Sequence, residues 1–297
     1  MAPVREPAVA GSFYPGGREA LLASLQDCFQ HKLGPGALPQ VAADGPGVLD
    51  ALISPHAGYM YSGPGAANGF AALAADGTPE TVVIIGPSHQ AGGRGAAVSF
   101  AEAWRTPLGP VSVDVDLCRA LVEATDLLVA DEETHRWEHS LEIQVPFLQF
   151  VYGERTPKLC PICVRSHPFG PLDQLVQDVT ALGTALAGAL EGRRGMVIAS
   201  TDFSHHIPHA RAQRQDKLAL DAILALDPPG LLRTVADHDI SMCGPVPVAI
   251  AVSFCHARGR HVAELLRYYT SGDITGDRSS VVGYASLVVR RAGGEVR

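Results

Sequence analysis

Positive charge is in short supply in this sequence. Its 297 residues carry 23 Lys and Arg against 31 Asp and Glu, a formal net charge of −8 with His neutral. A surface that coats nucleic acid needs clustered Lys and Arg to displace phosphate counterions, so no nucleic-acid partner is expected. Cysteine is sparse as well. Six thiols, Cys28, Cys118, Cys160, Cys163, Cys243 and Cys255, are too few for a secreted disulfide scaffold and too scattered for an iron–sulfur cluster. Long apolar runs are missing. The longest uncharged one, 241–257, is interrupted by Pro245, Pro247, Ser253 and His256 and falls short of the roughly 20 residues that span a bilayer. It reads as a buried helix, and no membrane partner is expected. Residues 1–7 have no apolar core of the signal-peptide kind, so the cytoplasm is the default compartment.

What the chain does have is apolar residues at 46% with only 18% charged, enough to offset the entropy of ordering. At this length roughly 75% of the unfolded surface can be buried, which allows one large domain. Short β-branched runs alternate with longer helical patterns, the signature of a layered α/β fold. Strands are expected at 51–54, 81–85, 96–99, 158–164, 196–200, 262–268 and 281–289. Helices are expected at 18–30, 63–74, 116–124, 139–151, 172–190, 211–226, 230–236 and 245–256. The Pro- and Gly-rich stretch 33–47 is a surface loop rather than a boundary, since strands flank it. The reading is a single three-layer α/β/α domain over 1–297.

Three strand patterns end in polar punctuation: ISPHAGY at 53–59, IGPSHQ at 85–90 and IASTDFSHH at 198–206. Open α/β sheets bind ligands beyond the carboxyl ends of their strands, and these segments would put His56, His89, Asp202 and His205 there. Cys243 stands just before Pro245, a favoured first helical residue, so its thiolate would gain from a helix N-terminus. Two imidazoles and a thiolate, His56, His89 and Cys243, would make a three-ligand metal site with an open position. The other reading is three unrelated polar turns. His139 and Glu142 begin a helical pattern and could face the site from behind or form an ordinary polar first turn. The Cys160-Pro-Ile-Cys163 spacing falls within a strand and reads as core filling. His31, His167, His238 and His261 read as solvated, and His205 is preferred over His206 and His209 as the functional member of its tract. The run 131–133 reads as an exposed acidic face.

Taken together, these segments resemble the Memo family, in particular its AmmeMemoRadiSam system protein B group. The matching stretches are REPAVAGSFYP at 5–15, SPHAGY at 54–59, GPSH at 86–89, WRTPL at 104–108, EHSLE at 138–142, STDFSH at 200–205, CG at 243–244 and SSVVGY at 279–284. They run in order along nearly the whole chain. The resemblance implies a fold similar to class III (LigB-type) extradiol dioxygenases, an α/β/α domain with a mixed sheet. It also implies a metal on His56, His89 and Cys243, with Asp202 and His205 beside it. In the dioxygenase kin a carboxylate stands where the thiolate would be here, and sulfur favours softer ions, so iron or copper is expected ahead of zinc. The activity implied is that of a metal-dependent oxidoreductase in which His205 moves protons and Asp202 orients or charges that imidazole. Alternatives are a metal-handling or peptide-binding module without turnover, and a metal-dependent hydrolase. A small molecule or peptide would occupy the site, and an Ammecr-type protein and a radical SAM enzyme are the partners that the resemblance suggests.

Overall fold

The computed structural model describes residues 3–90, 95–165 and 171–293. In chain order the strands are β1 (Val4–Arg5), β2 (Leu49–Ser54), β3 (Thr81–Ser88), β4 (Ala96–Val98), β5 (Ala103–Thr106), β6 (Gly109–Ser112), β7 (Leu128–Ala130), β8 (Lys158–Arg165), β9 (Gly195–Ser200), β10 (His205–Ile207), β11 (His261–Thr270) and β12 (Val281–Arg291). The helices are α1 (Arg18–Gln30), α2 (Tyr59–Asp76), α3 (Val115–Ala124), α4 (Glu132–Arg136), α5 (Val145–Tyr152), α6 (Leu172–Ala189), α7 (His209–Leu224), α8 (Pro228–Asp237), α9 (Pro245–Ala257) and α10 (Ser271–Thr275).

Nine strands form one sheet in the order β10-β12-β2-β9-β3-β8-β4-β7, with β11 paired to β12. It is mixed: β2, β9, β3 and β8 run parallel, while β12 and β4 are antiparallel to their inner neighbours. The central strands are buried on both faces, which is why they read as near-continuous apolar runs. Helices α1, α2 and α5 pack together on one face, and α9 lies on β2, β3 and β9 from the other with α6 and α8 against it. This is the mixed α/β architecture expected. In α2, Gly69 lets the helix approach the sheet: a Cβ there would stand 2.4 Å from Leu52 Cδ1 and 2.6 Å from Ser286 Oγ. The apolar run 241–257 delivers α9, whose residues 245–255 are all buried. No helix among the described residues is long and apolar enough to cross a membrane.

Several sequence expectations are corrected. The pattern at 139–151 is not one helix: His139 lies in a turn, Glu142–Gln144 form a single 3₁₀ turn, and the α-helix begins at Val145. Pro146 has no N–H to bond backwards, so it sits where an α-helix starts rather than inside one. Helix α2 begins at Tyr59, before the expected Gly63, and accommodates Pro64 near its first turns. His261 is buried, not solvated; its side chain is 0% exposed and Nε2 lies 2.7 Å from Asp50 Oδ2. Cys160 and Cys163 are both core residues, as expected of that strand. His167 lies outside the described residues.

A second, three-stranded sheet, β1-β5-β6, was not legible in the sequence because its strands have only two to four residues. It anchors the N-terminal segment. Arg5 stacks on Trp104, with its guanidinium carbon 4.4 Å from the ring centroid, and donates from Nη2 to the carbonyls of His135 and Glu138 at 3.1 and 2.6 Å. His135 is fully buried behind this clamp, and burial, together with the nearby Arg5 charge, outweighs its bond to the Ala97 carbonyl and lowers its pKa to about 4.

That shift has a sign. Between about pH 6.5 and pH 4 the unfolded chain binds a proton at residue 135 that the folded chain refuses, so this part of the stability is complete above 6.5 and lost on acidification. The expected slope is up to about 1.4 kcal/mol per pH unit. Urea denaturation at pH 7 and pH 5 should show a steeper loss for the parent than for a His135→Gln variant; equal losses would show that this imidazole does not resist protonation.

Candidate metal centre

Strands β2, β9 and β3 lie side by side and parallel, with Ser54 in register with Ser200. Their carboxyl ends therefore deliver three loops to one edge: Pro55-His56 after β2, Thr201-Asp202 after β9 and His89 after β3. The turn at 138–141 crosses above them, tied down by Ser140 Oγ donating to the Pro87 carbonyl at 2.8 Å. It brings His139 over the same point. Gly86 makes that crossing feasible, since a Cβ there would meet Ser140 Oγ at 2.6 Å. His56, His89 and His139 are the one group among the described residues whose donor atoms, all within 4.8 Å of one another, could hold a metal ion.

The hydrogen bonds around each ring decide which nitrogen is free. Ser200 commits its proton to the Ser140 carbonyl at 2.6 Å and receives the Gln144 amide at 2.9 Å. His56 Nδ1, 2.9 Å from Ser200 Oγ, must then carry the proton, leaving Nε2 with its lone pair. His89 Nδ1 donates to Glu138 Oε1 at 2.9 Å, which leaves its Nε2 free in the same way. Glu138 is completely buried and every contact it makes is with a donor: the His89 N–H at 2.5 Å, and the His139 and Ser140 N–H groups at 2.8 Å each. Burial alone would favour its neutral form, but the bond from His89, the His89 and His139 imidazoles and the Ser140 N–H outweigh it and lower its pKa to about 2. Glu138 is thus a carboxylate that orients the His89 ring, the kind of partner that accompanies metal-bound histidines.

The His56 and His139 imidazoles are held neutral. Burial, followed by the other histidines, lowers the pKa of His56, and burial likewise lowers that of His139 to about 4. Neutral, pre-oriented nitrogens suit a cation.

Cys243 lies against the same point from below. Its Sγ is 3.3 Å from His56 Nε2 and accepts the Asp202 N–H at 3.1 Å. Nitrogen and sulfur donors of one tetrahedral ion stand roughly 3.3 to 3.8 Å apart, so His56 and Cys243 could share an ion at their present separation. Cys243 does precede α9, with Gly244 capping that helix. The expected thiolate stabilisation is nevertheless overridden: burial and the Asp202 carboxylate raise its pKa, and the thiol is the resting form until a cation displaces the proton.

Asp202 and His205 both line the 960 Å³ cavity that opens onto the imidazoles. The two interact through charge, while the hydrogen bonds of the His205 ring go elsewhere. His205 Nδ1 lies 2.7 Å from the Ser241 carbonyl, and Ser241 Oγ receives the His205 N–H at 2.8 Å, so Ser241 orients this ring. Asp202 instead accepts the His56 backbone N–H at 2.8 Å and fixes the ligand loop. Burial raises the Asp202 pKa against the pull of the His205 charge. Glu142 does not face the cavity. It joins Arg5, the Ala8 and Val9 N–H groups and, at 2.5 Å, the Tyr14 hydroxyl, clamping the segment whose Phe13 ring lies 4.8 Å from His139. Glu138, Ser200 and Ser241 were missed by sequence reasoning. Only Glu138 carried a signal, standing next to His139 in the EHSLE stretch.

A Memo-like protein family model matches residues 5–288, and this chain belongs to the Memo family. A MEMO1 family protein of Methanopyrus kandleri is 45% identical over 289 residues, covering 97% of this chain and 99% of that protein. Another, from Methanothermobacter thermautotrophicus, is 41% identical over 286 residues, covering 96% and 99%. Among solved structures, an uncharacterized protein of Escherichia coli K12 is similar at a TM-score of 0.56 and 16% identity, covering 81% of this chain and 99% of that one, a likeness of fold alone.

Proposed function

We propose that this protein is a metal-dependent oxidoreductase whose ion is held by His56, His89 and Cys243, with His139 facing it as a fourth donor. The observation that carries this reading is the pair of free Nε2 atoms, each fixed by a hydrogen bond to the opposite ring nitrogen, in a buried edge shared with a thiol. Iron or copper suits the mixed nitrogen and sulfur donors. When bound, such an ion would supply electron transfer and a point of attachment for a substrate. The chain supplies the rest. The cavity is large enough for a small molecule and is walled by Phe13, Tyr14, Tyr59 and Tyr284, which keep water from its floor. His205, half-exposed on the cavity wall and held through Nδ1, presents Nε2 as a proton acceptor or donor. Asp202 keeps the His56 loop in place.

Element analysis of anaerobically purified protein tests the ligand set. Close to one equivalent of iron or copper is expected in the parent, little in Cys243→Ala and a reduced but measurable amount in His139→Ala. Equal metal in the parent and Cys243→Ala would reject the sulfur ligand and leave the three imidazoles as the site. Substituting His205 by Ala then separates turnover from binding: an enzyme keeps its metal and ligand affinity but loses reaction, whereas a binding module loses affinity alone.

A further inference from the structure

At the opposite end of the same sheet, where β2, β9 and β3 begin, lies a second cavity of 440 Å³. Four arginines reach it from three separate parts of the chain: Arg193 and Arg194 before β9, Arg258 after α9 and Arg291 at the end of β12. Two of the negative charges nearby are already engaged. Asp50 receives His261 at 2.7 Å and Arg258 at 3.6 Å, and Asp76 accepts the Val48 and Leu49 N–H groups at 2.9 Å each. The third, Asp44, lies on the exposed rim.

Donor capacity remains. Arg291 donates to the Gly47 carbonyl and forms a long ion pair with Asp50 Oδ2 at 3.8 Å, and its buried Nε has no hydrogen-bond acceptor. The Arg194 side chain makes no hydrogen bond or ion pair among the described residues. Its Nη2 lies across Gly77, 3.3 Å from where a Cβ there would be. Gly45, Gly47, Gly77, Gly192 and Gly195 also line the cavity. Apolar surface is contributed by Leu73, Pro79 and Met196.

We propose that this cavity binds a small organic phosphate, its phosphoryl oxygens on Arg194 and Arg291 and its apolar body against Leu73 and Met196. A phosphate monoester presents three oxygens and about two charges, which matches unfilled guanidinium donors arriving from different directions better than a single carboxylate does. The flanking Asp44 and Asp76 and the net charge of −8 disfavour a polyanion.

Isothermal titration calorimetry with phenyl phosphate, inorganic phosphate and phenol tests this on the full-length protein. Phenyl phosphate should saturate one site, bind more tightly than inorganic phosphate and leave phenol without detectable binding. Arg194→Ala, which removes no hydrogen bond or ion pair of the described residues, should weaken it about tenfold. Chelator-treated protein should bind as well as untreated protein, since the imidazole edge is at the other end of the sheet. Absence of saturation, equal affinity in Arg194→Ala, inorganic phosphate binding as tightly, phenol binding equally well, or loss of binding on chelation would each overturn the assignment.

Discussion

Replacing Glu138 by Gln should weaken metal binding by about 10- to 100-fold while leaving the backbone fold in place. Each neighbour of this side chain donates: the His89 ring and N–H, and the N–H groups of His139 and Ser140. An amide has one accepting and one donating end, so either orientation turns an NH₂ against an N–H. The turn at 138–141 would loosen and His89 would lose the partner that keeps its Nε2 pointed at the site. A glutamine also removes the negative charge that makes His89 a stronger donor to a cation. Competition against a metal-binding dye, under anaerobic conditions, reads the effect directly. A variant that loads as tightly as the parent would show that Glu138 is only a structural tie of the turn. Acid should have a related effect. With the carboxyl lowered to about 2, its contribution to stability is complete above the ordinary carboxylate value near 4.3 and disappears only as pH falls towards 2. Loss of metal at pH 5 to 6 therefore belongs to protonation of ligands, not of Glu138.

The Arg5→Ala variant should lose about 3 to 5 kcal/mol of folding stability. Arg5 and Glu142 are both buried, and removing the guanidinium strands a carboxylate among the Ala8 and Val9 N–H groups and the Tyr14 hydroxyl with no cation beside it. The Trp104 ring would lose its stacked partner, and the His135 and Glu138 carbonyls two donors. Urea denaturation of Arg5→Ala, Glu142→Gln and the double variant forms a cycle. A strong coupling energy is expected, and a loss under about 1 kcal/mol in Arg5→Ala would mean that water takes over the guanidinium's place. The variant should also disturb the cavity, because the clamped segment carries Phe13 and Tyr14 into its wall.

Of the residues that the family resemblance placed at the metal, His56 and His89 share one sheet edge with His139, Cys243 lies against His56, and Asp202 and His205 line the cavity that opens there. Their convergence was legible because each sits at the end of an apolar strand run, and parallel neighbouring strands end together. The partners of these residues were not legible. Ser241 lies 36 positions from His205 and Ser200 lies 144 from His56. No local spacing announces such pairs. His139 could only be guessed at, since its placement depends on a turn that crosses back over the sheet.

Composition and periodicity alone determined that this chain builds a layered α/β fold with buried strands and a largely buried helix beginning at Pro245, because apolar period and length are properties of a segment. Tertiary structure alone decided which nitrogen of each imidazole is free, that Asp202 fixes a loop rather than His205, that His261 is buried on Asp50 and that four arginines surround a cavity at the far end of the sheet. Those outcomes depend on distances between residues remote in the chain, and such distances exist only once the layers have packed.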